Sequence, residues 1–118
     1  MATTVLIVDD HASFRSSAKM LLESEGFDVV GEAADGGSAI AQMASLAPDL
    51  MLLDVQLPDI DGFEVASRVT DTDGAPTVIL ISSRDGGDFG PLVQACGARG
   101  FVSKADLSGE SLRAVLDG

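Results

Sequence analysis

The 118 residues carry 7 Lys and Arg against 19 Asp and Glu, for a formal net charge of −12, with 46% hydrophobic content and one cysteine. Such a chain is long enough for one domain with its own core, and its acidity excludes nucleic-acid binding driven by phosphate neutralisation. Cys96 alone excludes an internal disulfide and fits a reducing cytoplasm, no apolar run approaches a membrane-helix length, and Met1 to Thr4 lacks the basic-then-apolar order of a signal peptide.

Strand and helix signals then alternate along the chain. The apolar run Thr4–Val8 predicts a first strand, ending at Asp9–Asp10. A helix follows over about Ala12–Glu25, with Phe14, Ala18, Leu21 and Leu22 on one face and Gly26 as its terminating glycine. Phe27–Ala33 reads as a second strand, with Phe27, Val29 and Gly31 alternating against Asp28, Val30 and Glu32. The Asp35–Ser38 turn leads into a helix over about Gly37–Leu46, with Ile40, Met43 and Ala44 inward and Pro48 closing it. Leu50–Leu53 is the third strand, ending at Asp54, and a third helix spans about Gly62–Val69. The β-branched run Thr77–Ile81 is the fourth strand. Three glycines between Asp85 and Gly90 predict a long flexible loop, leaving helix only over about Pro91–Cys96, where Cys96 reads as a small packing residue. Gly100–Val102 is the fifth strand. The last helix starts at an N-cap Ser108, with Ser111 in the capping-box position, and runs to about Leu116. Five β/α units imply an α/β, three-layer doubly wound fold with right-handed crossovers.

Asp9, Asp10 and Asp54 each follow a buried-strand signal. In an open α/β sheet the carboxyl ends of parallel strands line the ligand crevice. The pattern therefore aims three carboxylates at one small volume, where like charges repel and shift one another's pKa. A divalent cation relieves that crowding, and hard oxygen ligands favour Mg²⁺.

Five strand-end features, in order, carry a family resemblance: Asp9–Asp10, Asp54, Ser82 and Lys104, with the segment LDVQLPDIDG over Leu53–Gly62. On these the chain resembles the receiver domain of bacterial two-component response regulators over nearly its whole length. The resemblance implies a flavodoxin-like five-stranded parallel sheet of order 2-1-3-4-5. It implies that Asp54 accepts a phosphoryl group from a sensor histidine kinase. Asp10, Asp54 and the Gln56 backbone carbonyl would hold Mg²⁺, with Asp9 acting through a metal-bound water. Lys104 would pair with Asp54 at rest and with a phosphoryl oxygen afterwards, and Ser82 would donate its hydroxyl to another. Ser82 and Phe101 would form the switch. The surface of helix 4, strand 5 and helix 5 would be the partner or homodimer face, with Arg99, Arg113, Asp88 and Asp106 available for reciprocal ion pairs. Such a domain catalyses only its own phosphotransfer and slow dephosphorylation.

The run Ser103–Lys104–Ala105–Asp106 is most similar to the subfamily whose output is a helix-turn-helix DNA-binding domain. That output would touch DNA; this domain would touch neither DNA nor membrane. Departures from the common pattern are Ser82 for Thr, Phe101 for Tyr, and Ala105 where many members have a proline after a cis peptide bond, which makes a trans bond the expectation here. Ser82 and Ser83 compete for the hydroxyl role, since a one-residue slip exchanges them. His11 reads either as a metal or phosphodonor contact or as an exposed loop residue. Two other readings stand beside the switch. One is a receiver fold controlled by a ligand or partner without phosphate. The other, a Mg²⁺-dependent phosphatase, needs a second acid two residues after the nucleophile, where Gln56 stands.

Overall fold

The computed structural model describes residues 2–83 and 90–117. Its elements run β1 (Thr4–Val8), α1 (Ala12–Ser24), β2 (Asp28–Ala33), α2 (Gly36–Leu46), β3 (Leu50–Asp54), α3 (Gly62–Thr70), β4 (Thr77–Ser82), α4 (Gly90–Ala95), β5 (Gly100–Ser103), a 3₁₀ turn (Lys104–Asp106) and α5 (Gly109–Asp117). The five strands pair in parallel in the order β2-β1-β3-β4-β5. The expected doubly wound sheet is therefore present.

Side chains alternate across a strand, so each strand feeds both faces of the sheet. Leu6, Val8, Met51, Leu53, Val78 and Leu80 pack with Ala39, Val65, Ala66, Val69, Val93 and Cys96 from α2, α3 and the α4 region. Val5, Ile7, Leu50, Leu52, Ile79, Ile81 and Val102 pack with Ala18, Leu22 and Leu112 from α1 and α5. These two cores are the filling of the three layers. β3, at the middle of the sheet, is buried at every residue.

Strand ends extend further than the apolar runs suggest. β3, β4 and β5 continue to Asp54, Ser82 and Ser103, because the ladder holds through Asp54 opposite Ile81 and Ser82 opposite Ser103. β2 departs from simple alternation. Val5 pairs with Val29 but Leu6 pairs with Gly31, so Val30 is an extra residue in the ladder. A bulge of this kind breaks the period of two, and Val29, Val30 and Gly31 are all half-buried. In α2 the inward positions are Gly36 and Ala39, with Ile40 and Met43 at the edge of the core; Ala44 is exposed, rotated off that stripe. Cys96 is buried as expected. Ser108 and Ser111 cap α5 reciprocally: each backbone N–H donates to the other's hydroxyl at 2.9 Å. No cis peptide bond occurs among the described residues, so Ala105 follows a trans bond. Residues 84–89 lie outside the described residues, and with them all of the expected Asp85–Gly90 loop except Gly90, which opens α4.

One glycine is fixed by close approach. A Cβ on Gly62 would stand 2.2 Å from the Asp54 backbone oxygen and 2.7 Å from the Val55 Cα. Both are backbone atoms at the end of a buried strand and cannot move aside. Gly37, inside α2, has only ordinary contact space, at 3.5 Å from Asp59. Gly62→Ala is therefore expected to destabilise the domain strongly, while Gly37→Ala stabilises it by about 0.5–1 kcal/mol through helix propensity. Urea midpoints of the two variants check this, and equal effects would contradict it.

Candidate functional site

The C-terminal ends of β1, β3, β4 and β5 form one edge of the sheet, and the site is built there. Asp9 and Asp54 continue the side-chain parity of Val5, Ile7, Leu50 and Leu52, so they fall on the α1/α5 side. Lys104, one residue beyond β5, reaches the same side. Its ammonium lies 2.5 Å from Asp9 Oδ2 and 3.1 Å from Asp54 Oδ2. It also sits 4.6 Å above the Phe14 ring of α1, within cation–π range. Lys104 is thus shared between two carboxylates, rather than paired with Asp54 alone.

Each member of this triad is shifted by its surroundings. Burial opposes ionisation of Asp9, which is fully covered, yet the Lys104 ammonium and the His11 backbone N–H outweigh it and hold the carboxyl below its ordinary range. For Asp54 burial wins. The Gln56 N–H at 3.0 Å and Lys104 offset only part of it, Asp9 adds repulsion, and the carboxyl is pushed up. Burial also works against the charge on Lys104, but hydrogen bonds to Asp9 and Asp54 raise its pKa.

Asp10 stands outside the triad and is exposed. Its Oδ1 lies 3.0 Å from His11 Nδ1, which also lies 3.1 Å from Asp9 Oδ1. Asp9, Asp10, His11 and Asp54 each bring one ligand atom within 4.8 Å of the others. The three carboxylates and one ammonium leave two net negative charges (three minus one), matching one divalent cation. Asp9 is a fully buried carboxylate whose Oδ2 faces the Lys104 ammonium. These residues fit a hard divalent cation. Crowding costs most at buried Asp54, not at solvated Asp10.

Ser82 ends β4 and is buried, whereas Ser83 is exposed. By parity Ser82 follows Val78 and Leu80 toward the α2/α3/α4 side, where Phe101 is half-buried against the core. Gln56 follows directly after Val55 and is exposed, its N–H committed to Asp54. Arg99 and Arg113, expected to offer charge to a partner, are engaged within the chain. Arg99 donates to the Val115 and Leu116 carbonyls at the end of α5. Arg113 pairs with Glu25 Oε2 at 3.2 Å and donates to the Glu25 carbonyl.

Three contributors escape the sequence pattern. Phe14 reads there only as a helix-face residue. Arg15 donates to the Asp9 carbonyl at 2.5 Å and pairs with Glu32 at 3.1 Å. Asp59 accepts from the Gly36 and Gly37 N–H groups at 2.8 and 2.9 Å, which hold its carboxyl down at about 2. It ties the loop after Asp54 to the first turn of α2. A separation of 22 or 23 residues leaves no local signal for that bond.

The response regulator receiver domain family model matches residues 5–117, and the chain belongs to that family. A transcriptional regulator of Pseudomonas aeruginosa is 39% identical over 117 residues, covering 97% of this chain and 56% of its own length. BvgA of Bordetella pertussis is 32% identical over 115 residues, covering 98% of this chain and 55% of its own. The chain therefore spans little more than half the length of these curated relatives. The signal receiver domain of NarL from Mycobacterium tuberculosis superposes with a TM-score of 0.86 at 36% identity, covering 98% of this chain and 94% of that one.

The shared ammonium generates a stability prediction. Lys104→Ala is expected to cost about 2 kcal/mol, less than breaking a fully buried pair because the ammonium is partly exposed. Adding Asp54→Asn is expected to recover part of that loss, since an amide needs no counter-charge. The signs with pH follow. The raised Lys104 pKa makes its contribution complete below 10.5 and lost as pH climbs through the folded value. The raised Asp54 pKa makes its ionised form a liability that is relieved as pH falls toward 3.8. Thermal melts of the two single variants and the double variant across pH check this; strictly additive losses would exclude the shared-ammonium account.

Proposed function

We propose that the chain is a phosphorylation-dependent switch whose Asp54 accepts a phosphoryl group from the phosphohistidine of a sensor kinase. The observation that carries this reading is the Lys104 ammonium held between Asp9 and Asp54 at the sheet's carboxyl edge. One Asp54 oxygen attacks phosphorus, the P–N bond breaks, and its electron pair returns to the donor imidazole. A carboxylate is a weak nucleophile, so positioning and charge compensation must supply the catalysis. The Gln56 N–H fixes one Asp54 oxygen and Lys104 fixes the other, which restricts the carboxylate to one orientation. Asp10, Asp54 and the Gln56 carbonyl are assigned as cation ligands, with Asp9 acting through water. Bound there, Mg²⁺ would neutralise charge at the phosphoryl oxygens. Lys104 then changes partner from Asp54 to a phosphoryl oxygen, a move that a flexible ammonium permits.

Output follows from the other side of β4. Drawing the Ser82 hydroxyl toward the phosphoryl group would open space that Phe101 fills, altering the face of α4, β5 and α5. With Arg99 and Arg113 engaged internally, any homodimer on that face depends on packing more than on reciprocal ion pairs. A cytoplasmic setting with a histidine kinase upstream and a DNA-binding output downstream suits this chemistry, and relatives of about twice the length are named as transcription regulators.

Intact-mass spectrometry with a small phosphodonor and Mg²⁺ tests the reading. One adduct of about 80 Da is expected on the wild type and none on Asp54→Asn. A full adduct on that variant would remove Asp54 from the role, and no adduct on the wild type would favour control by a ligand or partner. In calorimetry, Asp10→Ala is expected to weaken Mg²⁺ binding while leaving the fold intact; unchanged affinity would exclude Asp10 as a ligand.

A further inference from the structure

We propose that Phe14 is a positioning residue, whose ring keeps the Lys104 ammonium at the carboxyl edge when a divalent cation compensates the carboxylates. The inference rests on the reading of Asp54 as a phosphoryl acceptor beside a cation, and deepens it. An ammonium carries three N–H donors and no acceptor. Lys104 directs its charge at Asp9 Oδ2, 2.5 Å away, and at Asp54 Oδ2, 3.1 Å away. A further neighbour is the Phe14 ring, with Nζ over its face 4.6 Å from the centroid. The side chain of Lys104 is 17% exposed, and a strongly hydrated ammonium on a flexible stem turns readily to water. On the side it covers, the ring face takes the place of that hydration.

The two kinds of contact respond differently to a cation. Asp9 and Asp54 attract Lys104 as charges. A divalent ion bound beside them compensates those charges and repels the ammonium. The ring attracts the ammonium through its quadrupole, whatever the charge of the carboxylates. It is therefore the anchor that persists when the ion arrives, in the state where Lys104 has to meet a phosphoryl oxygen.

Packing alone does not call for an aromatic ring at this position. Phe14 is half-buried at the margin of the core built from Val5, Ile7, Ala18 and Leu22. A leucine would cover that margin, but only an aromatic face attracts a cation. The adjacent Arg15 donates to the Asp9 carbonyl, which fixes this turn of α1 against the strand end and the ring with it.

NMR of lysine-labelled protein, with and without Mg²⁺, tests this beside phosphorylation kinetics. The chain holds two lysines, Lys19 and Lys104, so two ε-methylene signals are expected, and Lys19→Arg assigns them. The Lys104 signal should carry an upfield ring-current displacement in the wild type and keep it when Mg²⁺ is added. Phe14→Leu should abolish the displacement and Phe14→Tyr should retain it. With a small phosphodonor and saturating Mg²⁺, the maximal rate of adduct formation should fall about three- to tenfold in Phe14→Leu, at an unchanged half-saturating donor concentration. Phe14→Tyr should recover it. A displacement lost on adding Mg²⁺ to the wild type overturns the role of Phe14 without need of any variant. A wild-type rate in folded Phe14→Leu, or a loss that Phe14→Tyr fails to restore, overturns it as well, and each of these leaves Asp54 standing as the acceptor. No adduct on the wild type removes the reading of Asp54 and this proposal with it.

Discussion

A single ammonium lodged between two buried carboxylates organises this molecule's functional edge. Lys104 cannot satisfy Asp9 and Asp54 equally, and their opposite pKa shifts record the imbalance. Asp9 is fully covered and stabilised as an anion; Asp54 is buried with its charge only partly compensated. Of the two, Asp54 is therefore the carboxylate whose charge the resting fold supports less. Any event that neutralises or spreads charge at Asp54 relieves the fold as well as changing the chemistry. Binding a divalent cation belongs to that class.

The fold makes such an arrangement reproducible. Parallel strands end on one edge, and parity sends Asp9 and Asp54 to the α1/α5 side while Ser82 follows the opposite face. Phe14 then supplies an aromatic surface beneath Lys104, and Arg15 secures the Asp9 backbone from the same first turns of α1. On the other flank, Gly62 lets α3 begin against the Asp54 carbonyl, and Asp59 anchors the intervening loop to α2. The strand that carries Asp54 is thus braced from both sides.

Much of this is legible from residue order. Apolar runs ending in Asp9, Asp54 and Ser82 reveal strands and site together, because buried parallel strands need no alternation and their ends are marked by the first polar residue. Ser108 and Ser111 are equally readable, since capping is a contact over three residues. Long-range contacts are not. Nothing local distinguishes Asp59 from other loop aspartates, or Arg113 from a solvated arginine, because Glu25 and Gly36 are far away in sequence. The bulge at Val30 is hidden for another reason: Val29 and Val30 are both apolar, so the pattern cannot say where the alternation breaks. The stripe of α2 was blurred similarly by the small residues at 39, 41 and 44, any of which can face a core.

Several contacts meet at the junction between β1 and α1. Asp9 and Asp10 leave the strand, His11 starts the helix, and Phe14 and Arg15 return from its first turns to the same site. Lys104 makes a further connection, because its ammonium touches the Phe14 ring while holding Asp54. Any change of partner by Lys104 would therefore change that aromatic contact as well. Helix α1 is thereby tied, through Phe14 and Arg15, to the residues around Asp54, on the face of the sheet opposite to Ser82 and Phe101.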